Sequence, residues 1–426
     1  MENFRIESLE INKIGAFEHL KMDFPKKKDP EKAEIHILTG ENGTGKSTVL
    51  LLLTGIADNS NQEDYLDRVW REDMHFTKSS YRINYRYSNE GKELERITMH
   101  AFDKHPSGLQ ENLNSRIPVE CAFFSYSSHR NTLPNNNSFN INQNANINPF
   151  KDSVKFNKSV ESENFLNWVF SVKIKAILEK DKGNFIEYDA YLVSLREIEN
   201  ALTEITQKPI EFVLKTKPYL YTALKVDGIE LDINVLPDGI KSTVTWLGDL
   251  LMRLESITWI DQTKISLHQN FILFLDEIEI HLHPAWQRKI LPVVQKLFKN
   301  AQIFISTHSP FVVGSVDGAW VHKFKKDGAY AVLDGEPILS EDAESYDTIL
   351  EEVFGVKERF GIRVEEDLKK FYQFKSKILG EEDFDIEPFL DLVSKLASES
   401  IELESMLGME LKQIKRLTGK DFLATA

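Results

Sequence analysis

An α/β architecture, a mixed β-sheet flanked by helices, is predicted by three stretches of the sequence. The first is an apolar run, Ile35-His36-Ile37-Leu38. It enters a glycine-rich loop, Gly40-Glu41-Asn42-Gly43-Thr44-Gly45-Lys46-Ser47-Thr48, and leaves it as a helix-like run from Val49 to Leu53. The second is Phe271-Ile272-Leu273-Phe274-Leu275, which closes on Asp276-Glu277. A continuous apolar run of this kind sits mid-sheet, covered on both faces. The third is Ile303-Phe304-Ile305, which closes on Ser306-Thr307-His308-Ser309-Pro310.

The loop matches the phosphate-binding pattern G-x-x-x-x-G-K-[ST] in its strand–loop–helix setting. Glycines let the backbone curl so that successive N–H groups point at phosphate oxygens, and the helix that follows turns its positive end on the same anion. Lys46 adds a full charge for the β- and γ-phosphates, and the Ser47 hydroxyl is the expected Mg²⁺ ligand. The expected nucleotide contacts are Asn42, Gly43, Thr44, Gly45, Lys46, Ser47 and Thr48. The alternative, a plain glycine-rich turn before a helix, is disfavoured by the completeness of the pattern.

Composition bounds the rest. The chain has 426 residues, enough for two or three domain-sized units. Hydrophobic residues at 41% suit a soluble globular protein, and no apolar run approaches the roughly 20 residues that span a bilayer. The opening Met1-Glu2-Asn3-Phe4-Arg5 lacks the charged-then-apolar layout of a signal peptide. Cys121 is the only cysteine, which excludes an intrachain disulfide framework and a CxxC metal site. The expectation is a cytoplasmic protein of bacterial type with no membrane partner. Its 52 basic and 67 acidic residues give a net charge of −15, a field that repels nucleic acid. This argues against a strong autonomous DNA binder. A local basic groove, or nucleic acid met through a complex, stays open.

Taken in order, residues 4–11 and 15–24 alternate with period two and read as strands. A charged turn follows, then a strand from Glu34 to Thr39 that delivers the loop, and a helix that ends near Gly55. Residues 60–77 read as a loop with short helices. Residues 80–88 and 94–100 alternate like a hairpin turning at Ser88-Asn89-Glu90-Gly91, and 119–126 is a further apolar strand. Residues 133–149, rich in asparagine with isolated apolar residues, can bury little and read as a long mobile loop. Helix-like stretches at 161–178 and 186–206 form an inserted helical arm, too short for a long coiled coil. Strands return at 210–214, 219–226 and 229–235. A helix then begins after Pro237-Asp238-Gly239 and runs to about Ser256, another spans 284–299, and strands follow at 302–305, 320–324 and 330–333. The last eighty or so residues are acidic and helical, broken at Gly355, Gly361 and Gly380. The expected division is an N-terminal lobe at 1–130, the mobile loop and helical arm at 131–209, a second lobe at 210–335, and a helical oligomerisation or partner-binding region at 336–426.

An apolar strand closing on two carboxylates puts Asp276 beside the phosphate loop, where it holds Mg²⁺ directly or through water. Glu277 is then placed to polarise an attacking water as general base. Alone, such a strand end is a common acidic turn, and the loop upstream gives it weight. His308 is suited to donate a hydrogen bond to a γ-phosphate oxygen and report hydrolysis, although a single histidine taken by itself is more often structural.

The order of these motifs, together with Leu236-Pro237-Asp238-Gly239-Ile240-Lys241 and the longer run Phe274-Leu275-Asp276-Glu277-Ile278-Glu279-Ile280-His281-Leu282-His283-Pro284, resembles the ATP-binding cassette (ABC) ATPases of the RecF/SMC branch. More narrowly, it is similar to the AAA15/AAA21-type ATPases of bacterial anti-phage systems, which include the ATPase subunits of the Septu and PARIS systems. The matching motifs span residues 4–324, with the inserted arm unmatched. Ser345-Tyr346-Asp347-Thr348-Ile349-Leu350 and Val353-Phe354-Gly355 are also similar to tails in that group.

The resemblance implies an ABC-type P-loop ATPase head, with an inserted helical arm and a helical C-terminal region, that uses ATP and Mg²⁺. It implies catalytic roles for Lys46, Glu277 and His308, and metal roles for Ser47 and Asp276. It also implies a site shared between subunits, with Asp238, Gly239 and Lys241 in the signature-loop position facing a neighbour's γ-phosphate. An exposed glycine turn feeding a helix N-terminus suits that task. The family more often has a serine or other small polar residue before the glycine. Pro237-Asp238 departs from this, and a helix-capping role for Asp238 is the other reading. His281-Leu282-His283-Pro284 matches the segment along the dimer seam, where i,i+2 spacing before a proline suits contact better than chelation. Tyr126-Ser127-Ser128-His129-Arg130 matches a strand ending near the γ-phosphate, and Arg130 divides between a nucleotide or partner contact and a structural salt bridge.

The implied partners are a second copy, as a homodimer or dimer-built oligomer, and a separate effector chain, a nuclease of HNH or TOPRIM type. A nucleotide-gated scaffold with little turnover is the second reading. RecF-type DNA repair is the third, disfavoured by the short arm and the acidic charge. No nuclease site is expected in this chain. Asp383-Phe384-Asp385, beside Pro388, fits a TOPRIM Asp-x-Asp only nominally and reads as a helix-capping region.

Overall fold

Alternating apolar residues at the N-terminus produce β1 (Arg5–Ile14) and β2 (Phe17–Asp23), an antiparallel hairpin that turns at Gly15 with φ +59°. The computed structural model describes residues 4–58, 80–86, 95–100, 109–110, 113–127, 148–156, 160, 162–217, 220–341, 345–380, 382 and 385–422. The expected turn at 88–91, the stretch 60–77, most of the asparagine-rich patch, and Arg130 lie outside them. After β3 (Glu34–Gly40) and α1 (Lys46–Thr54), the chain adds β4 (Ser80–Arg86) and β5 (Glu95–His100) to the first hairpin. The result is a four-stranded antiparallel sheet in the order β2-β1-β4-β5.

β6 (Ala122–Tyr126) leads into a helical pair, α2 (Ser162–Asp181) and α3 (Phe185–Thr206). The turn between them carries Gly183 at φ +78°, and the Asn184 side chain accepts the Glu187 N–H to cap α3. Leu195, Ile198, Leu202 and Ile205 recur at helical spacing and are buried in the main core. The distal Phe185 and Ile186 are exposed.

A small antiparallel sheet follows: β7 (Ile210–Lys215), β8 (Tyr221–Val226) and β9 (Ile229–Leu231). The outer edge of β7 is covered by α3, because Ile210 N–H donates to Thr203 Oγ1 at 3.0 Å and Phe212 N–H to Glu199 Oε1 at 2.8 Å. Side-chain acceptors of this kind blunt an edge that would otherwise template further pairing.

α4 (Asp238–Glu255) is buried along most of its length, and the Phe165 ring of α2 occupies the space a Cβ on Gly248 would need, 2.4 Å away. Then come β10 (Phe271–Leu275), α5 (Pro284–Leu297), β11 (Gln302–Ser306), the short α6 (Pro310–Val313), β12 (Trp320–Asp327), β13 (Tyr330–Leu333) and β14 (Ile338–Leu339). The central sheet runs β13-β12-β3-β11-β10-β6, parallel from β12 to β6, with β13 and β14 antiparallel to β12. Its strands alternate between two apolar clusters. Ile35, Ile37, Leu273, Leu275, Ile303 and Ile305 face the helices α2 to α5, and Leu38, Ile272, Phe274 and Phe304 face α1 and the N-terminal sheet. Burial on both faces is why these strands read as unbroken apolar runs.

One polar chain runs through this second layer. Arg5 donates from Nε to both oxygens of Glu34 at 3.0 Å, Gln302 donates to Glu34 Oε1 at 2.7 Å, and His36 Nε2 lies 3.0 Å from the same oxygen. His36 Nδ1 is 3.2 Å from His322 Nε2. Burial lowers the pKa of His36, against the hydrogen bond and charge of Glu34, and takes that of His322 well below its ordinary value. The other ring nitrogen of His322, Nδ1, is buried without a hydrogen-bond partner. Burial opposes the charge on Glu34, but the hydrogen bond and charge of His36, followed by the charge and hydrogen bond of Arg5, outweigh it and hold the pKa at about 2.

The chain divides into two compact units, Met1–Phe354 and Gly355–Ala426. α7 (Tyr346–Glu352) belongs to the first, so the helical region drawn from residue 336 divides at Gly355. Ser345 caps α7 by accepting the Thr348 N–H, while Ile349 and Tyr346 pack against Gly314 beyond α6. The helix closes over the turn that follows Ser306 to Pro310. The second unit holds α8 (Ile362–Leu379), α9 (Glu387–Ala397) and α10 (Ile401–Thr418) around Phe371, Phe389, Leu407 and Leu411. Gly361 and Gly380 sit at the two ends of α8. Asp385 Oδ1 accepts the Glu387 N–H at the start of α9, whereas Asp383 and Phe384 are outside the described residues. Among the described residues no helix is long and apolar enough to cross a membrane.

Candidate nucleotide site

Strand order brings the three sequence motifs together. β11 lies between β3 and β10, so the C-terminal ends of three adjacent parallel strands deliver the glycine-rich loop, the Ser306–Pro310 segment and Asp276-Glu277 to one edge of the sheet. This is the edge at which open α/β sheets bind ligands.

The loop needs its glycines. Gly40 has φ +143°, and a Cβ there would lie 2.2 Å from the Phe324 carbonyl oxygen. Gly45 has φ +85°, and a Cβ there would lie 2.5 Å from the Phe17 ring. Thr44 is buried and its Oγ1 donates to Glu41 O at 2.8 Å, which closes the turn. Among the described residues the N–H groups of Gly43, Gly45, Lys46 and Ser47 have no protein acceptor, as a loop suited to an anion requires. Asn42 lies on the exposed part of the loop, and Thr48 in the first turn of α1. Lys46 folds back over the loop and donates to Gly40 O and Glu41 O, both at 2.9 Å. Burial lowers its pKa, against the opposing charges of Asp276, Glu277 and Glu279.

Ser47 Oγ donates to Asp276 Oδ1 at 2.9 Å, so the last loop residue and the strand end are in direct contact. Among the described residues no cluster of three or more His, Cys, Asp or Glu is set to hold a metal. A hydroxyl beside one carboxylate is the sparse donor set that suits Mg²⁺, which takes its remaining ligands from phosphate and water. Glu277 follows with φ +48°, a left-handed conformation unusual for a side chain of its size. Burial raises the Glu277 pKa, and the like charges of Asp276 and Glu279 raise it further. His308 is half-buried, its pKa lowered by burial and by Lys46, and the charges of Glu277 and Asp276 also reach it. Its N–H donates to Glu279 Oε1 at 2.6 Å.

Two residues without an assigned role in the sequence reading belong to this network. Ser306 accepts the Glu277 N–H and donates to Asp276 Oδ1. Glu279 holds the backbone of His308. No local signal in the sequence marks them, because their partners follow from the parallel register of β10 and β11.

The signature-position residues correct two expectations. Gly239 is buried, not exposed. A Cβ on it would meet the His281 carbonyl oxygen at 2.6 Å and the Trp286 ring at 3.1 Å, so it is packed against the segment that follows Glu277. Asp238 does not cap α4. Pro237 takes the N-cap position, Asp238 is the first helical residue, and no side chain accepts from the first turn. Pro237 and Asp238 are exposed, while Lys241 is buried and its N–H donates to Pro237 O at 3.0 Å. Among the described residues no hydrogen bond or ion pair joins residues 237–241 to the loop at 40–48 of the same chain. His283 caps α5 through Nδ1, which accepts the Ala285 N–H at 3.2 Å.

Against known proteins, residues 35–314 match the family described as "AAA domain, putative AbiEii toxin, Type IV TA system". The chain is 35% identical over 92 residues to "Retron Ec83 probable ATPase" of Escherichia coli, which is 21% of this chain and 16% of that one. It is 28% identical over 146 residues to "Retron Vc95 probable ATPase" of Vibrio cholerae serotype O1 biovar El Tor, 34% and 28% of the two chains. These matched stretches span less than a third of either retron relative. It is 22% identical over 315 residues to "Septu protein PtuA" of Bacillus thuringiensis, 72% of each. Among solved structures, the "SMC head domain from Thermotoga maritima" superposes with a TM-score of 0.41 at 10% identity, covering 78% of this chain and 99% of that one. The family match contains the glycine-rich loop, Asp276-Glu277 and His308 and takes in well over half of the sequence, and on that extent the chain belongs to this AAA-domain family.

Proposed function

We propose that the protein hydrolyses ATP at a site shared between two of its copies, as the nucleotide-dependent subunit of a bacterial anti-phage defence complex, and that it controls a separate effector chain, a nuclease. The observation that carries the hydrolytic part is the meeting of Lys46, Ser47, Asp276 and Glu277 at one edge of the sheet, where Ser47 Oγ donates to Asp276 Oδ1. Ser47 and Asp276 are the residues that would hold Mg²⁺, which when bound offsets phosphate charge. Lys46 exchanges its two carbonyl acceptors for phosphate oxygens. Glu277 takes a proton from the water that attacks the γ-phosphorus, as the bond to the β–γ bridging oxygen breaks. Its raised pKa is the direction a general base needs. His308 donates to the terminal phosphate.

The shared site rests on α4. Its first turn offers N–H groups to anion, and its Asp238, Gly239 and Lys241 make no bond to their own loop among the described residues. The defence role is supported by the names of the relatives, a Septu protein and two proteins named as retron probable ATPases.

Phosphate release from the wild type and from Glu277→Gln, with light scattering of the variant with and without ATP, tests the reading. Turnover lost in the variant together with ATP-dependent dimerisation supports it. No turnover in either replaces it with a nucleotide-gated scaffold, and turnover by a strict monomer removes the shared site. Protein purified alone is expected to leave plasmid intact with Mg²⁺ and ATP; cleavage would place the nuclease in this chain.

A further inference from the structure

Ser306 is almost wholly buried at the end of β11, where the parallel register that pairs Leu275 with Ile305 carries it opposite Asp276. Its hydroxyl serves two neighbours at once. It accepts the Glu277 N–H at 2.9 Å and donates to Asp276 Oδ1. A serine hydroxyl has one proton to give and two lone pairs, so both bonds form without competition. The first holds the peptide that enters the left-handed turn at Glu277, and the second fixes the carboxylate on which Ser47 also rests. Thr307, the next residue, is buried and serves a different partner, its Oγ1 accepting the Ser309 N–H at 3.0 Å.

We propose that Ser306 is the positioning residue of this site. It aims the Asp276 carboxylate at the cation and locks the Glu277 peptide, so that metal and attacking water meet a preset pair of carboxylates. The inference rests on the nucleotide reading of the site. Ser306 is not expected to touch nucleotide. Removing its hydroxyl takes a donor from the Asp276 carboxylate and leaves the Glu277 N–H without its acceptor. Outer partners of metal ligands that are deleted in this way typically lower metal affinity or activity by about 10–100-fold.

The test compares wild type, Ser306→Ala and Ser306→Thr, first by the Mg²⁺ concentration needed for half-maximal binding of a fluorescent ATP analogue. The alanine variant is expected to raise that concentration about tenfold, while the threonine variant, which keeps the hydroxyl, stays within about threefold of wild type. In phosphate release, Ser306→Ala is expected to lose kcat about tenfold or more with KM for ATP little changed. An unchanged Mg²⁺ midpoint in Ser306→Ala overturns the proposal, and so does a threonine variant as impaired as alanine. A wild type that shows no turnover defeats hydrolysis but leaves the metal titration to decide the role of Ser306. A wild type that binds no nucleotide defeats both.

Discussion

Glu34 offers the clearest energetic test of how the two sheets are joined. It is a buried carboxylate on the strand that feeds the phosphate loop, with a side chain 7% exposed, against Arg5 from the other sheet at 12%. Glu34→Gln keeps the shape and removes the charge, leaving a nearly buried guanidinium opposite an amide. The magnitude follows from two routes. The folded pKa of about 2, set against 4.5 for the free group, is a shift of about 2.5, and at ~1.4 kcal/mol per unit that is on the order of 3 kcal/mol. Breaking one partner of a buried ion pair independently gives ~3–5 kcal/mol. Because the folded pKa is depressed, this stability is present above the unfolded value near 4.5 and is lost as pH falls from there toward 2. Urea unfolding followed by tryptophan fluorescence at pH 7 is expected to place the variant about 3 kcal/mol below wild type, with the gap closing on acidification below pH 4.5. A gap under about 1 kcal/mol at pH 7, or one that stays constant down to pH 3, refutes the reasoning.

Other outcomes follow from the same structure. Gly40→Ala must displace the Phe324 backbone and is expected to abolish nucleotide binding, whereas Gly43→Ala, with open space around it, meets only the left-handed penalty of ~1–2 kcal/mol and still folds; circular dichroism melts separate the two. Saturating Mg-ATP at about 100 times Kd is expected to stabilise the wild type by ~2.7 kcal/mol, seen as a raised Tm, and Lys46→Ala to show no such rise. Phe389→Ala, in the core of the second unit, is expected to cost ~3–5 kcal/mol and to reduce helical signal while the thermal response to ATP persists; loss of that response would show that the units are not independent in stability.

The parts of this protein that the sequence disclosed are those whose chemistry is local. The glycine-rich loop fixes its own conformation, so its strand and helix could be drawn to within a residue or two, with β3 ending at Gly40 and α1 at Thr54. The apolar runs at 271–275 and 303–305 were legible because burial on both faces leaves no polar position between them. What stayed hidden depends on which strands are neighbours. Ser306 looked like part of a polar tail, and only the β10–β11 register gives it two partners. Gly239 looked exposed because a proline and an aspartate precede it, but Trp286 and the His281 carbonyl come from a segment over forty residues away. His36 and His322 interrupt apolar patterns, and nothing local reveals that each one makes the other tolerable in the core. The helices of the inserted arm were drawn to within a few residues, but the burial of Leu195, Ile198, Leu202 and Ile205 of α3 in the main core was not read from the sequence.

The backbone at Glu277 has a bearing on how this protein can be improved. Its positive φ is a shape that asparagine and glycine take up readily and glutamate resists. On the general-base role proposed for Glu277, ruggedness and turnover pull position 277 in opposite directions. A library screened for survival at high temperature alone will enrich Asn or Gly there and return sturdier, inert molecules, so any thermal engineering of this scaffold has to hold that codon fixed.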